Sequence, residues 1–358
     1  MPNTIIIGSG SHIPERIITK DHFLNSEFYS DDGELLTKTN AEVIEKFVEI
    51  TEIENRRYIK DGEHNSDLGH RAAEEAIKDA KINREDLDYI IYASNFGEVD
   101  KNGMTNFMPS LSARVKNKLG IKNRNCVNYD MIFGCPGWVE AMILADTLVK
   151  SGKAKLILVV GAETLSRVTD PFDRNKMIFA DGAGAVVVKA TDEKNVGIIA
   201  DKTICDNDSE LMFLENAPSL NKASDQKKLY IRMHGRKIYE YALKNVPDAI
   251  KETIDSANLG IEDIDKILIH QANAKMDYAM ISRLFKLYGR KDYDHAVSPM
   301  TIQDFGNSSV ATVPTMFDLI SKGKMKDQSF KPGGNIVFAS VGAGMNINAI
   351  VYRFPLNK

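Results

Sequence analysis

The chain contains an internal repeat, and this repeat limits the possible folds more than any other feature. The segments 75–90 and 252–267 are identical at seven of the twelve positions compared, and their spacing is close to half of the 358 residues. Chance similarity between amphipathic segments is the alternative explanation. A second match in the same order, between 146–153 and 318–324, favours duplication. We therefore predict two similar halves.

Strands and helices alternate through both halves. Short apolar runs typical of buried strands occur at 89–93 and 156–160, whereas 105–119 and 274–287 have helical spacing. This alternation predicts an α/β fold with parallel sheets that helices cover on both faces.

A polar, linker-like stretch around Thr191 and Asn195 separates the halves. We therefore predict an N-terminal half over residues 1–192 and a C-terminal half over residues 193–358.

Composition and charge argue against several classes of protein. The net charge of −4 lacks the basic excess of a nucleic-acid binder, and no apolar run reaches the ~18 residues of a membrane-spanning helix. The first residues lack the pattern of a signal peptide. Three cysteines without a CxxC pair form neither a disulfide framework nor a zinc knuckle. We expect a cytoplasmic protein with no metal site and no nucleic-acid or membrane partner.

Cys135 is the strongest single candidate for chemistry. It follows a strand and Gly134, and Pro136 suits the first turn of a helix. Free N–H groups and the helix dipole there are expected to stabilise a thiolate or an oxyanion. A small buried apolar residue is the alternative, and position alone leaves both open. We interpret Cys126 and Cys205, in strand-like runs, as packing residues.

The repeat adds two partners to this cysteine. Under the duplication, Cys135 falls opposite Asn307, and each residue opens a helix after a glycine. His270 follows a predicted strand, and ligands in α/β sheets bind beyond the carboxyl ends of strands. A pseudo-twofold axis would bring Cys135, His270 and Asn307 together, although a lone histidine is often only a core or surface residue.

Several motifs together resemble the β-ketoacyl-acyl-carrier-protein synthase III family. They are GCPG at 134–137, HQAN at 270–273 and GNSSVATVP at 306–314, with GSG at 8–10, DGAGA at 181–185 and GAG at 342–344. The resemblance extends over nearly the whole chain. It implies the thiolase fold, with two duplicated halves in a five-layer αβαβα sandwich, and a homodimer.

The resemblance also implies a two-step acyltransferase reaction in fatty acid biosynthesis and lipid metabolism. Cys135 would take an acyl group from a thioester. This acyl group would then undergo decarboxylative Claisen condensation with a malonyl or 3-oxoacyl thioester. His270 and Asn307 would stabilise the enolate, and the backbone N–H groups of Cys135 and Ala343 would hold the oxyanion. The implied substrates are acyl-CoA or acyl-carrier-protein thioesters, with no metal or redox cofactor.

The resemblance assigns further residues to substrate and partner. Arg167 matches an arginine that faces the CoA adenine, Asn273 would hydrogen-bond the pantetheine arm, and Lys275 would face the acyl carrier protein. Arg236 and Lys237 are second candidates for this partner, with scattered surface charge as the alternative.

Two departures from the family pattern suggest an alternative substrate. Val341 stands where the family commonly has phenylalanine, which would widen the acyl pocket. The segment 47–51 lacks the Trp and Arg that clamp the adenine in relatives. The alternative is therefore a secondary-metabolism enzyme that transfers a longer acyl group and forms a C–C, ester or amide bond.

A cysteine hydrolase is the alternative from another class, because peptidases also use a Cys/His/Asn trio. A dinucleotide-binding dehydrogenase is disfavoured, since the stretch 8–13 lacks the third glycine of the required motif.

Overall fold

The computed structural model describes residues 1–356, which form fifteen strands and eight α-helices. The strands are β1 Asn3–His12, β2 Arg16–Thr19, β3 Asn55–Tyr58, β4 Tyr89–Ala93, β5 Glu98–Val99, β6 Thr105–Asn106, β7 Val127–Met131, β8 Leu156–Thr164, β9 Asp181–Thr191, β10 Gly197–Cys205, β11 Leu214–Pro218, β12 Leu229–Met233, β13 Ile264–Ile269, β14 Asn335–Gly342 and β15 Asn346–Arg353. The helices are α1 Asn40–Thr51, α2 Asn65–Ala80, α3 Leu111–Lys118, α4 Gly137–Lys150, α5 Gly235–Ser256, α6 Ala274–Leu287, α7 Ile302–Phe305 and α8 Thr312–Ser321. None of these helices combines the length and the apolar content needed to cross a membrane.

Two large sheets repeat the same strand order. The first runs β1-β9-β8-β4-β7 and the second runs β10-β15-β14-β13. In each sheet the first two pairings are antiparallel and the next is parallel. The second sheet has no counterpart of β7 among the described residues. The internal repeat therefore corresponds to a structural duplication, as predicted.

The helices and the two sheets form five layers. α4 and α8 lie between the sheets, where Trp138, Met142, Val313 and Phe317 pack with apolar strand residues of both halves. α2 and α3 cover the outer face of the first sheet, and α5 and α6 cover that of the second. The predicted αβαβα sandwich is therefore confirmed.

The central strands are apolar on both faces because helices cover both. Every residue of β8 and of β14 is buried, as expected for strands inside a doubly covered sheet. β1 approaches α2 so closely that a Cβ on Gly10 would lie 2.2 Å from the Ala72 carbonyl oxygen. Glycine at this position therefore allows the outer helix to contact the sheet.

The residues 105–119 do not form one helix, so that prediction was too long. The helix α3 begins at Leu111, after a cap in which Ser110 accepts a hydrogen bond from the Ala113 N–H at 3.2 Å. Pro109 lies just upstream and disfavours helical backbone at the preceding residue. The residues Thr105 and Asn106 instead form β6, which pairs with β5.

The two helices between the sheets carry buried aspartates at matching positions. In α4, Asp146 accepts a hydrogen bond of 2.6 Å from Thr4 on β1 and pairs with Lys150 one turn later. In α8, Asp318 pairs with Lys322 at 2.8 Å. The second repeat match thus conserves a carboxylate and its lysine in both halves.

Asp318 is the more heavily bonded of the two aspartates. Its carboxylate accepts hydrogen bonds from Ser9 at 2.8 Å and from Ser11 at 2.6 Å, both on β1. Lys322 also donates to the Ser9 carbonyl at 2.9 Å. A helix of the second half is therefore tied to the edge strand of the first sheet.

We predict that Asp318→Ala lowers the free energy of unfolding by about 3 kcal/mol, because it leaves the partly buried Lys322 ammonium and two hydroxyls without their acceptor. Urea denaturation measures the change. Glu240→Ala is the control, since it breaks the Arg236–Glu240 pair of the same i,i+4 spacing at an exposed position. Equal stability losses in the two variants would contradict the assigned role of Asp318.

Candidate active site

Cys135 lies in a tight turn between β7 and α4. Pro136 is the residue that caps α4, and the helix begins at Gly137. Cys135 therefore precedes the first helical turn rather than lying within it, one position earlier than the sequence suggested. Its backbone N–H has no backbone acceptor among the described residues, so it is available to an oxyanion.

A turn of the second half packs directly against this cysteine. Gly134 has a φ of +68°, and a Cβ there would lie 2.7 Å from the Ala343 nitrogen. A Cβ on Gly342 would lie 2.4 Å from the Cys135 nitrogen. The two glycines thus let the backbones of Cys135 and Ala343 come together. Ala343 is not among the residues with positive φ, so its methyl group causes no backbone strain there.

Asn307 is held by the backbone of the first half. Its N–H donates to the Ile178 carbonyl at 2.9 Å, and its carbonyl accepts from the Ala180 N–H at 2.8 Å. The side-chain Oδ1 accepts from the Ser309 N–H at 2.8 Å. This bond orients the amide, which leaves Nδ2 as the group that can donate to a ligand.

His270 directly follows β13, and its N–H donates to the Ala339 carbonyl of β14 at 2.9 Å. The ring is buried, and its Nδ1 has no hydrogen-bond partner among the described residues. Burial lowers the pKa of His270 to about 4, against an opposing contact with the Ser309 backbone. The imidazole is therefore neutral at neutral pH, with one N–H to donate.

Ser309 joins the three predicted residues. Its N–H bonds Asn307, its hydroxyl contacts the Cys135 thiol, and its backbone lies against the His270 ring. Its φ of +52° is unusual for a residue with a side chain and is typical of functional sites. The sequence motif contains this serine, but nothing in a single serine signals its role, so sequence analysis missed it.

Burial opposes the thiolate stabilisation that the sequence predicted at this site. Burial raises the pKa of the Cys135 thiol to about 11, and the charge of Glu163 acts in the same direction. The Ser309 hydroxyl opposes these effects, but no cation within residues 1–356 acts on the sulfur. Cys135 therefore rests as a thiol at neutral pH.

Glu163 is a second residue that sequence analysis missed. It is buried at the end of β8 and accepts hydrogen bonds from the Asn95 N–H at 2.7 Å and the Asn95 Nδ2 at 2.9 Å. Burial raises its pKa to about 8. A carboxylate that directly follows the apolar run 156–162 was the signal that could have found it.

The predicted substrate residues lie on three different elements. Asn273 caps α6, with its Oδ1 accepting from the Met276 N–H at 3.1 Å. Lys275 follows in the first turn, half-exposed and 3.8 Å from a Glu49 carboxylate oxygen. Arg167 donates to the Val99 carbonyl at 2.7 Å, so its guanidinium is already engaged.

The remaining candidates differ in their exposure. Val341 is buried in the apolar cluster beneath α5 and α6. Arg236 is exposed and pairs with Glu240, whereas the Lys237 ammonium lies 5.2 Å from the centre of the Phe213 ring.

The two other cysteines have different surroundings. Cys126 is buried, as predicted. Cys205 is exposed at the end of β10, so its interpretation as a packing residue is wrong. It lies on an outward-facing position of a strand whose alternate residues are exposed.

Comparison with known proteins identifies the family. The family model described as 3-oxoacyl-[acyl-carrier-protein (ACP)] synthase III matches residues 129–207, and its C-terminal counterpart matches residues 254–354. The chain is 32% identical to the beta-ketoacyl-[acyl-carrier-protein] synthase III of Clostridium acetobutylicum, covering 99% of both chains. It is 33% identical to the enzyme of the same name from Thiobacillus denitrificans, covering 98% of both chains.

A solved structure agrees with these relatives. The 3-oxoacyl-[acyl-carrier-protein] synthase III of Aquifex aeolicus superimposes with a TM-score of 0.79 at 29% identity, over 98% of this chain and 100% of that one. The thiolase fold is therefore confirmed, and the chain belongs to the β-ketoacyl-acyl-carrier-protein synthase III family of acyltransferases.

Proposed function

We propose that this protein transfers an acyl group to Cys135 and then condenses it with a decarboxylated malonyl thioester, as a 3-oxoacyl-acyl-carrier-protein synthase III. The observation that carries the proposal is the meeting of Cys135, His270 and Asn307 around Ser309. These residues come from both halves of the duplicated chain. His270 follows the strand β13, and Cys135 and Asn307 lie in the turns that precede α4 and α8.

In the first half-reaction, the Cys135 sulfur attacks the carbonyl carbon of an acyl thioester. The carbonyl oxygen becomes an oxyanion, which accepts hydrogen bonds from the backbone N–H groups of Cys135 and Ala343. Collapse breaks the bond to the leaving sulfur. The proton of the Cys135 thiol ends on the departing thiol, and the enzyme holds the acyl group as a thioester.

In the second half-reaction, the carboxylate of the malonyl thioester leaves as CO₂. The electron pair that remains forms an enolate, whose oxygen accepts hydrogen bonds from His270 and from Nδ2 of Asn307. The enolate carbon attacks the acyl carbonyl and expels the Cys135 thiolate, which then takes up a proton. A neutral imidazole suits this role, because it donates a hydrogen bond at neutral pH without first being protonated.

The substrates we propose are CoA and acyl-carrier-protein thioesters, and the chemistry uses no metal or redox cofactor. Acyl carrier proteins are acidic, which supports the half-exposed Lys275 as a contact, with Arg236 and Lys237 as further candidates. Asn273 would bond the pantetheine arm, and Arg167 would lie near the adenine. We propose a cytoplasmic location, because the three cysteines are free, as is usual in a reducing compartment.

The alternatives from the sequence are less well supported. The curated relatives carry the name of the acyl-carrier-protein synthase, which favours this reaction over secondary metabolism with a longer acyl group. Val341 is buried with other apolar side chains. This packing does not support the wider acyl pocket that the sequence suggested. Membership of a condensing-enzyme family also disfavours the cysteine hydrolase.

We also propose that two copies of the chain form a homodimer through β7. This strand lies at the edge of the first sheet, so one side of its backbone is unpaired in the single chain. Val127 on this strand and Ile132 just after it are exposed large apolar side chains, and so are Met104, Phe107 and Met108 in the segment that leads into α3, a helix packed on β7. A cavity of about 870 Å³ adjoins the same segment at Met104 and Pro109.

We predict that acyl-enzyme forms on Cys135 and nowhere else. Incubation with acyl-CoA and acyl-carrier-protein thioesters, followed by mass spectrometry, should find one acyl group on Cys135 and none in Cys135→Ala. Cys205→Ser is the matched control, because Cys205 is the exposed thiol, and it should load like the unmodified protein. Acyl mass on Cys205 would refute the assignment.

We predict that His270→Ala and Asn307→Ala separate the half-reactions. Each variant should still load Cys135, because its donor acts on the enolate. Malonyl decarboxylation should fall by about 100-fold or more, the usual effect of one lost oxyanion donor. Radiolabelled CO₂ release measures it, and a variant that decarboxylates normally but fails to load would reverse the roles.

We predict that the protein sediments at twice the mass of one chain. The double variant Val127→Lys, Ile132→Lys should sediment as a single chain. Charged side chains on an edge strand oppose pairing with a second copy. Leu356→Lys changes an exposed apolar residue elsewhere and should stay dimeric. Dimers of the β7 variant would place the interface on another surface.

A further inference from the structure

A carboxylate close to the candidate nucleophile is buried without a cationic partner among the described residues. Glu163 is fully buried, and no lysine, arginine or histidine among the described residues forms an ion pair with it. Its hydrogen-bond donors are all neutral: the Asn95 N–H, the Asn95 Nδ2 and the Ser94 hydroxyl at 3.3 Å. A buried acid of this kind is costly to ionise, so its retention in an apolar strand needs an explanation.

Side-chain contacts connect this carboxylate to the reactive sulfur. Asn95 donates through Nδ2 both to Glu163 at 2.9 Å and to the Ser309 hydroxyl at 3.4 Å. The Ser309 hydroxyl in turn contacts the Cys135 thiol. Glu163 therefore influences the orientation of the group that touches the sulfur.

Further hydrogen bonds hold the network in place. Asn65, at the start of α2, donates to the Ser94 hydroxyl at 3.0 Å and to the Ala162 carbonyl at 3.2 Å. The Tyr92 hydroxyl donates to Asn65 Oδ1 at 2.8 Å. A buried network bonded in this way is rigid, so its members cannot turn away from one another at little cost.

We propose that Glu163 is a positioning residue that controls the ionisation of Cys135. Through Asn95 it keeps the Ser309 hydroxyl against the thiol, and its own charge disfavours the thiolate, so that the two acids titrate as a coupled pair. The proposal rests on Cys135 as the nucleophile and adds a residue that decides when the nucleophile is charged.

The sign of the effect follows from the charges around the pair. Burial raises the pKa of Glu163 to about 8 and that of Cys135 to about 11. Asp181 of β9 also faces Glu163 and raises its pKa, with Arg167 acting on Asp181. Between pH 7 and 9 the Glu163 carboxyl loses its proton. The new negative charge then opposes loss of the pair's second proton, which is the proton of the Cys135 thiol. The pair therefore ionises in two separated steps.

The test is the pH dependence of Cys135 alkylation, followed by mass spectrometry of its peptide in the intact protein. Iodoacetamide reacts with the thiolate, and a Cys205→Ser background removes the exposed competing thiol. Glu163→Gln keeps an oxygen that can accept from Asn95 but carries no charge. It should lower the alkylation midpoint by about one pH unit and raise the rate about tenfold at pH values above the Glu163 midpoint and below both Cys135 midpoints, with no rate change below pH 7, where Glu163 is protonated.

Three controls separate charge from packing. Glu98→Gln neutralises another buried carboxylate of the same half, which is bonded to Ser66, and should leave the midpoint unchanged. Glu163→Asp keeps the charge and should keep the higher midpoint, whereas Asn95→Ala should leave the charge effect but slow alkylation at every pH by loosening Ser309.

An unchanged or raised midpoint in Glu163→Gln would overturn the proposal, as would a midpoint in Glu163→Asp as low as that of Glu163→Gln. These outcomes are independent of the proposed reaction, which is tested by acyl loading of Cys135. A protein that alkylates as expected but never loads an acyl group would overturn the proposed function and leave the role of Glu163 standing.

Discussion

The contact between two backbone turns is the constraint from which the geometry of the site follows. Gly134 precedes the cysteine in the first half, and Gly342 precedes Ala343 in the second. Added Cβ atoms on these glycines would lie 2.4 to 2.7 Å from backbone nitrogens of the opposite turn. Any larger residue would push the halves apart. The backbones of Cys135 and Ala343, from different halves, therefore come together only because each is preceded by a glycine.

Exclusion of water is the common cause of the protonation states in the site. The same desolvation keeps Cys135 protonated, makes His270 neutral and raises the pKa of Glu163. A neutral imidazole is a suitable donor to an enolate oxygen, and hydrogen bonds in a dry site are stronger than in water. The consequence is a Cys135 thiol that is not ionised at neutral pH, so the groups touching the sulfur, Ser309 above all, gain importance.

The duplication explains why the site lies between the halves. α4 and α8 are equivalent helices, and both lie between the sheets with their preceding turns at the same end. One turn supplies the cysteine and the other supplies Asn307. Matching aspartates, Asp146 and Asp318, connect the two helices to the same strand, β1. The pseudo-symmetry thus positions a thiol and an amide, which are chemically different, by the same arrangement of a turn followed by a helix.

Local patterns in the sequence were sufficient to predict the repeat and the meeting of Cys135, His270 and Asn307, because periodicity and motif order can be read along the chain. The five layers were implied by the family resemblance that the motifs carry. The predictions failed where a local signal, Pro109, was not used and where long-range contacts determine the environment of a residue. Pro109 shortened the helix predicted over 105–119, and Cys205 faces solvent although its strand is apolar in part. The protonation of Cys135 and the parts played by Ser309 and Glu163 arise from burial and from neighbours that are distant along the chain, such as Asn95 and Ser309. Such contacts have no signature along the chain, since desolvation and hydrogen bonding act between groups that folding alone brings together.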